Sequence, residues 1–276
     1  MAKKVTILQH TGGELGNQLW NFASIYAYCL EKDLACNNNS FFEFYEFFPH
    51  LVTKNVFLKF LFFYPFVKYR GGRDKLFVKF FRLFYKIYLF FVHIFKKEKI
   101  ITVNQTNDGD VFYLPPSEEP REISVMEKKD SFYFDEGIFR NPKGIAKHRN
   151  KIIGHFLPNE DIQNEVAEKL STMRDKFDFI VGVHIRQGNY RNLKRGKFFV
   201  DPGHMRTFID EFISKFKVDI AHTCFYISSD SDIEAKFFTG LNYKMNNGNI
   251  AVDMFTLAGA DIIIGSDSHF GSFASY

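Results

Sequence analysis

Three cysteines, Cys29, Cys36 and Cys224, are too few and too scattered for a disulfide framework, and they form no C-x-x-C pair for a metal. No uncharged apolar run approaches the roughly 18 residues of a membrane-spanning helix; the longest, Ile87 to Phe95, is about half that. The opening MAKKVTILQH has too short an apolar stretch for a secretory signal. These absences lead us to expect a cytoplasmic protein, in which the N-x-S/T triplets at Asn38 and Asn104 mean little. H-E-x-x-H, a Walker A loop, a recognisable catalytic triad and internal repeats are also missing.

What is present is an ordinary folded composition over 276 residues, 46% hydrophobic and 25% charged, which excludes fibrous and disordered classes. The length suits two compact domains, which we place at 1–150 and 151–276. Phenylalanine is the anomaly: 36 residues, as many as Lys and Arg combined. Net charge is +4, yet Lys54 to Lys99 holds 12 Lys/Arg against Asp74 and Glu98, which is +10 and leaves −6 for the rest. A uniformly basic surface for nucleic acid is therefore not expected; a local basic segment is.

Val5–Gln9 reads as a strand, followed by a glycine-rich turn and a helix from about Asn17 to Glu31. Residues 41–100 form an aromatic and basic insertion, and 101–150 read as loops and short strands around Pro115, Pro116, Pro120 and Pro142. Beyond 152 strands and helices alternate: helix 160–175, strand Phe179–Ile185, helix 204–216, strand Cys224–Ser228, helices 231–238 and 251–259, and strand Asp261–Ile264. Such alternation with Val/Ile-rich strands indicates an α/β fold with parallel sheets. Over 74–95 a helical projection puts Lys75, Lys79, Arg82 and Lys86 in one stripe, with Phe77, Phe80, Phe81, Phe84, Tyr88, Phe91 and Phe95 opposite. A core helix with a solvated basic face and a helix lying on an anionic membrane through residues 54–99 both fit.

Four segments could carry chemistry. In Thr11-Gly12-Gly13-Glu14-Leu15-Gly16-Asn17-Gln18 the glycines and the helix start can approach an anion, or simply make a tight turn. In Val183-His184-Ile185-Arg186-Gln187-Gly188-Asn189-Tyr190-Arg191, His184 and Arg186 leave one face at the C-terminal end of a strand, where open α/β sheets bind ligands. There an arginine can hold a diphosphate; the alternative is a buried histidine with Arg186 paired to a nearby acid. Ser228-Ser229-Asp230 ends a strand, and Ser231 to Glu234 has capping-box spacing. Asp230 and Asp232 also spell D-x-D, a metal–diphosphate pattern that ranks below capping. Finally Gly265 to Phe273 is a small-residue loop opening a helix, suited to phosphate oxygens or to capping by Ser268 or Ser272.

Taken in order, these segments resemble glycosyltransferase family 11, the α-1,2-fucosyltransferases. GGELGNQLWNFA from Gly12, IIGHFLPNEDI from Ile152, VHIRQGNYR from Val183, YISSDSDIEAK from Tyr226 and DMFTLAGADIIIGSDSHFGSFASY from Asp253 are similar to the family's successive motifs. Residues 40–145 contribute almost nothing. The resemblance implies a GT-B-like α/β architecture of two Rossmann-like domains facing a cleft, an N-terminal acceptor side and a C-terminal nucleotide-sugar side. It implies GDP-fucose as donor, inversion at the anomeric carbon, transfer to a glycan acceptor (galactose O2 first), and no cofactor or metal. Arg186 and His184 would be the catalytic pair. Gly16, Asn17, Gln18, Gly188, Asp230, Ser268, Phe270, Gly271 and Ser272 would bind the donor. Another nucleotide-sugar donor, or a non-catalytic GDP-binding assembly factor at a membrane, are the alternatives. Against the family pattern, Arg-Gly-Asp becomes Gln187-Gly188-Asn189, and Ser272-Phe273 replaces an aromatic pair. The chain ends at Tyr276, before the position where GT-B enzymes usually carry a helix bridging back to the first domain.

Overall fold

The computed structural model describes residues 3–9, 14–63, 75–102, 111–114, 130–135, 137–192, 196–246 and 248–276. The chain divides into two compact units, Met1–Asn159 and Glu160–Tyr276. Each is built on a four-stranded parallel sheet, the α/β class read from the strand–helix alternation.

In the first unit β1 (Lys4–Ile7) precedes α1 (Leu15–Glu31) and β2 (Ala35–Asn38). Then come α2 (Val56–Phe63), α3 (Lys75–Lys96), β3 (Ile100–Thr102), β4 (Val111–Tyr113), β5 (Ser131–Asp135) and β6 (Ile138–Arg140). Two short helices, α4 (Pro142–Lys147) and α5 (Arg149–His155), close the unit. The sheet runs β2-β1-β5-β3, while β4 pairs with β6 alone. Much of the phenylalanine excess is core: Phe41, Phe48, Phe132, Phe134 and Phe139 are fully buried. The Asn21 side chain of α1 accepts the Phe139 N–H at 2.8 Å and so ties the helix to β6.

Helix α3 differs from the simple two-face expectation. Phe81, Tyr85 and Val92 are buried, but Phe80, Phe91 and Phe95 stand in solvent. The phenylalanine stripe is too wide for one contact surface, so only its edge packs. The side chains of Lys75, Phe77 and Lys79 lie outside the described residues.

The second unit comprises α6 (Glu160–Arg174), β7 (Phe179–Ile185), α7 (Pro202–Phe216) and β8 (Thr223–Ser229), then β9 (Tyr243–Met245), α8 (Ile250–Ala258), β10 (Ile262–Gly265) and α9 (His269–Ala274). Its sheet order is β10-β7-β8-β9. The chain starts at β7, steps outward through β8 to β9, and then returns to the other side of β7 as β10. That reversal makes the carboxyl ends of β7 and β10 a topological switch point, the place where doubly wound sheets open a ligand crevice.

Strand alternation aims the side chains. Val181, Val183 and Ile185 pack with Met205 and Ile209 of α7 and with Phe225 and Ile227 of β8. Gly182 turns to the other face, where an added Cβ would come within 2.9 Å of Leu257 on α8; His184 shares that face. Helix α7 has Pro202 in its first turn and Asp201 as cap, accepting from the Gly203 and His204 amides, and it ends at left-handed Lys217. The helix expected over 231–238 is only a 3-10 turn, Ala235–Phe238. That turn begins only after Glu234, which is its extended N-cap and makes no side-chain capping bond, so Ser231 caps no helix and the Ser231/Glu234 spacing forms no capping box.

Candidate functional site

The tips of β7, β8 and β10 converge on one constellation. Arg186, the residue after β7, pairs through Nη1 with Asp230 Oδ2 at 2.9 Å, and both side chains are largely covered. The other Asp230 oxygen accepts the Gln187 N–H at 2.7 Å. The guanidinium lies 5.4 Å from the centre of the Tyr190 ring, in the 3-10 turn Gly188–Arg191. Arg186 is thus fixed on one side by a carboxylate and on another by an aromatic face. This is the acid-paired arrangement weighed from sequence, and it also holds the cation at the strand tip.

Gly188 is the hinge of that arrangement. Its φ is +22°, and a Cβ there would sit 2.4 Å from Asp230 Oδ2 and 3.8 Å from Arg186 Cζ. Only glycine lets the loop close over the ion pair without displacing it.

From β10 the chain turns through Gly265 and Ser266. The Ser266 N–H donates to the His184 carbonyl at 2.8 Å, and its hydroxyl accepts the Arg186 N–H at 3.0 Å. One serine therefore splices the β10 tip to both sides of Ile185. The close approach requires Gly265, at φ +148°, where a Cβ would fall 2.1 Å from the His184 carbonyl oxygen.

His184 is only 3% exposed. Its ring lies against Phe270 at a tilt of 30° with centres 4.9 Å apart, and its Cδ2 is 3.3 Å from where a Gly271 Cβ would be. Neither ring nitrogen has a well-formed hydrogen bond, although the Ser228 main chain lies against the ring. Burial pushes the imidazole down to about 4; Asp230 pulls the other way, and Arg186 adds to the fall. At neutral pH the ring carries no charge. Such a group is a weak base, but it can present an N–H or a lone pair to a bound oxygen.

Ser268 caps α9, its Oγ accepting the Gly271 N–H at 3.2 Å. The Ser272 N–H donates to the Ser268 carbonyl, and its hydroxyl reaches the His269 carbonyl at 3.5 Å. The capping role weighed from sequence is therefore taken by Ser268, while Phe270 and Gly271 turn to His184. Asp230 is committed to Arg186 and Gln187, and Asp232 is exposed. Among the described residues no three His, Cys, Asp or Glu side chains gather as metal ligands.

Gly16, Asn17 and Gln18 belong to the first unit, in the opening turn of α1. Gly16 and Gln18 are buried, Asn17 is exposed, and the Asn17 and Gln18 N–H groups both donate to the Glu14 carbonyl. Thr11, Gly12 and Gly13 lie outside the described residues, as do Lys194 and Arg195.

Sequence reasoning did not assign Ser266, Tyr190 or the buried group beneath Asp230. Asp253 on α8 accepts from the Tyr226 hydroxyl and from Asn246 Nδ2, each at 2.9 Å. Asn246 also donates to the Ser229 carbonyl at 3.0 Å, so the chain of bonds ends one residue before Asp230. Burial raises the Asp253 carboxyl against the lowering effect of both partners. A lone acid in the apolar run IAVDMFTLA was the available signal.

No family model and no curated protein matches the chain. Solved structures do. An Arabidopsis thaliana FUT1 variant in complex with GDP superposes with a TM-score of 0.55 at 15% identity, covering 99% of this chain and 68% of that one. The fucosyltransferase NodZ from Bradyrhizobium gives 0.52 at 12% identity, over 100% and 92%. POFUT1 in complex with GDP-fucose gives 0.50 at 10%, over 99% and 92%. The chain has the GT-B-like α/β fold of these fucosyltransferases.

Proposed function

We propose that this chain is a fucosyltransferase of the family-11 kind. In this reading it transfers L-fucose from GDP-fucose to a hydroxyl of a glycan acceptor, with galactose O2 the first candidate, with inversion and without a metal. The observation that carries the reading is Arg186, held by Asp230 and Tyr190 at the switch point of the second unit. The shared fold adds support, since FUT1 and POFUT1 were solved with GDP or GDP-fucose. The second unit would be the nucleotide-sugar side, and Gly16, Asn17 and Gln18, on the acceptor-side unit, would face the donor.

The chemistry follows from charge. The bond between the anomeric carbon and the β-phosphate oxygen breaks, the sugar becomes oxocarbenium-like, and negative charge grows on the departing GDP. Arg186 is a fixed cation for that charge; one preorganised donor of this kind is typically worth ~10²–10³ in rate. The acceptor oxygen attacks the opposite face and releases its proton late. His184, neutral and enclosed by Phe270 and Gly271, fits a role in shaping and hydrogen-bonding the phosphate pocket better than that of base. Gly188, Ser268, Phe270, Gly271 and Ser272 would line the diphosphate, and Asp230 the nucleoside side.

The test is transfer itself. Incubation with GDP-β-L-fucose and a galactose-terminated glycan, in EDTA, is expected to yield an α-linked fucoside, read by the anomeric proton coupling. A β-linked product would overturn inversion, and turnover only with another nucleotide sugar would overturn the donor.

A further inference from the structure

Helix α3 is built inside out. Besides the narrow buried edge of Phe81 and Val92, the groups that fasten it to the first unit are polar. Tyr85 donates its hydroxyl to the Leu8 carbonyl. Tyr88 accepts from Asn39 Nδ2 at 2.8 Å, and His93 meets Asp135 at 2.6 Å. Arg82 Nε donates to Glu43 at 2.8 Å. Facing away are Leu83, Ile87, Phe90, Phe91, Ile94 and Phe95, all exposed, Phe90 to 62% and Phe95 to 71%. At ~100° per residue these six fill an arc of about 140°, while buried Phe81, Tyr85 and Val92 share about 40° on another side. A helix used only for the core would bury the first set.

The charge around this arc selects its occupant. Lys75–Lys96 contains no acid, and exposed Lys86 borders the arc roughly 40° from Phe90. Exposed Lys97 follows the helix end, beside exposed Glu98, while Lys96 projects roughly 100° beyond Phe95 and off the arc. On α2, exposed Val56 and Phe57 sit between exposed Lys54 and Lys59. Two copies of such a face would bring like charges together, whereas anionic headgroups attract them. Among the described residues no helix is long and apolar enough to cross a bilayer. A 22-residue helix of about 33 Å can instead lie along one.

We infer that the outward face of α3 docks the protein on an anionic lipid surface, with the phenylalanines in the acyl boundary and the lysines among the phosphates. This rests on α3 and its neighbour α2 and stands whatever the donor is. The test is flotation of the full chain with phosphatidylcholine vesicles, with and without about 30% phosphatidylglycerol. Wild type is expected to float with the anionic vesicles, and to float at least tenfold less at about 0.5 M salt. The Phe90→Ser/Phe91→Ser/Phe95→Ser variant should bind at least tenfold more weakly, as should Lys86→Glu/Lys97→Glu. A Phe91→Trp chain, which keeps an aromatic and so the fold, should be quenched by lipids brominated in their acyl chains. Wild type left in the dense layer, a serine variant that floats like wild type, or an unquenched Trp would each overturn the inference. A wild-type dimer dispersed by the serine variant would overturn it in favour of a second copy.

Discussion

Replacing His184 by phenylalanine should flatten the acid limb of the protein's stability curve. In the folded chain His184 is pushed down from its ordinary 6.5 to about 4. The unfolded chain therefore binds the extra proton first, and stability is full above pH 6.5 and is lost as pH falls toward 4. Between those limits the loss amounts to about 3 kcal/mol, since each tenfold change in proton affinity is worth about 1.4 kcal/mol. Phenylalanine keeps a flat ring against Phe270 and removes two nitrogens that have no well-formed partner, so stability at pH 7.5 should change little. His155, also held at about 4, titrates in both proteins and cancels in the difference. Urea denaturation of wild type and His184→Phe across this range measures the effect. Profiles that stay parallel down to pH 4 would refute the claim that a neutral, desolvated imidazole sits at the β7 tip.

Gly188→Ala should weaken GDP binding more than tenfold and cost about 1–3 kcal/mol, because its Cβ overlaps Asp230 Oδ2, one oxygen of a carboxylate pinned by Arg186 and the Gln187 N–H; calorimetry and a thermal melt report both. Gly265→Ala should be more damaging, by about 3 kcal/mol or more, since the clash is with the His184 backbone and cannot be relieved by a rotamer. Loss of soluble protein or a large drop in melting temperature is expected, and an unchanged melt would contradict the β7–β10 geometry. Tyr226→Phe strips one of the Asp253 partners at a buried carboxyl and should cost about 1–3 kcal/mol, read by denaturation at neutral pH.

The second unit was legible wherever hydrophobic period and punctuation agreed. The run from Phe179 to Ile185 is apolar on both faces because β7 is central in its sheet, and a strand buried on both faces cannot alternate. The helix expected over 204–216 begins two residues earlier, at Pro202, with Asp201 as its cap. The Ser231/Glu234 spacing misled because a four-residue pattern does not by itself make a helix: the turn starts at Ala235, past both residues. The His184–Arg186 pair was readable as a strand tip, but Ser266 and Tyr190 were not: their contacts depend on which strand lies beside β7, which no local pattern encodes. For α3 the sequence held both stripes. The side that packs was hidden because the anchors of Tyr85, Tyr88 and His93 lie 42 to 77 residues away along the chain.

The most direct test of the site is calorimetric titration of GDP, UDP, GDP-fucose and GDP-mannose in EDTA, with Arg186→Ala alongside wild type. The account predicts metal-free, GDP-selective binding that the substitution weakens at least tenfold, as expected for loss of a charge-assisted contact to phosphate. Preference for UDP, affinity that returns only with Mn²⁺, or equal binding by Arg186→Ala would contradict it.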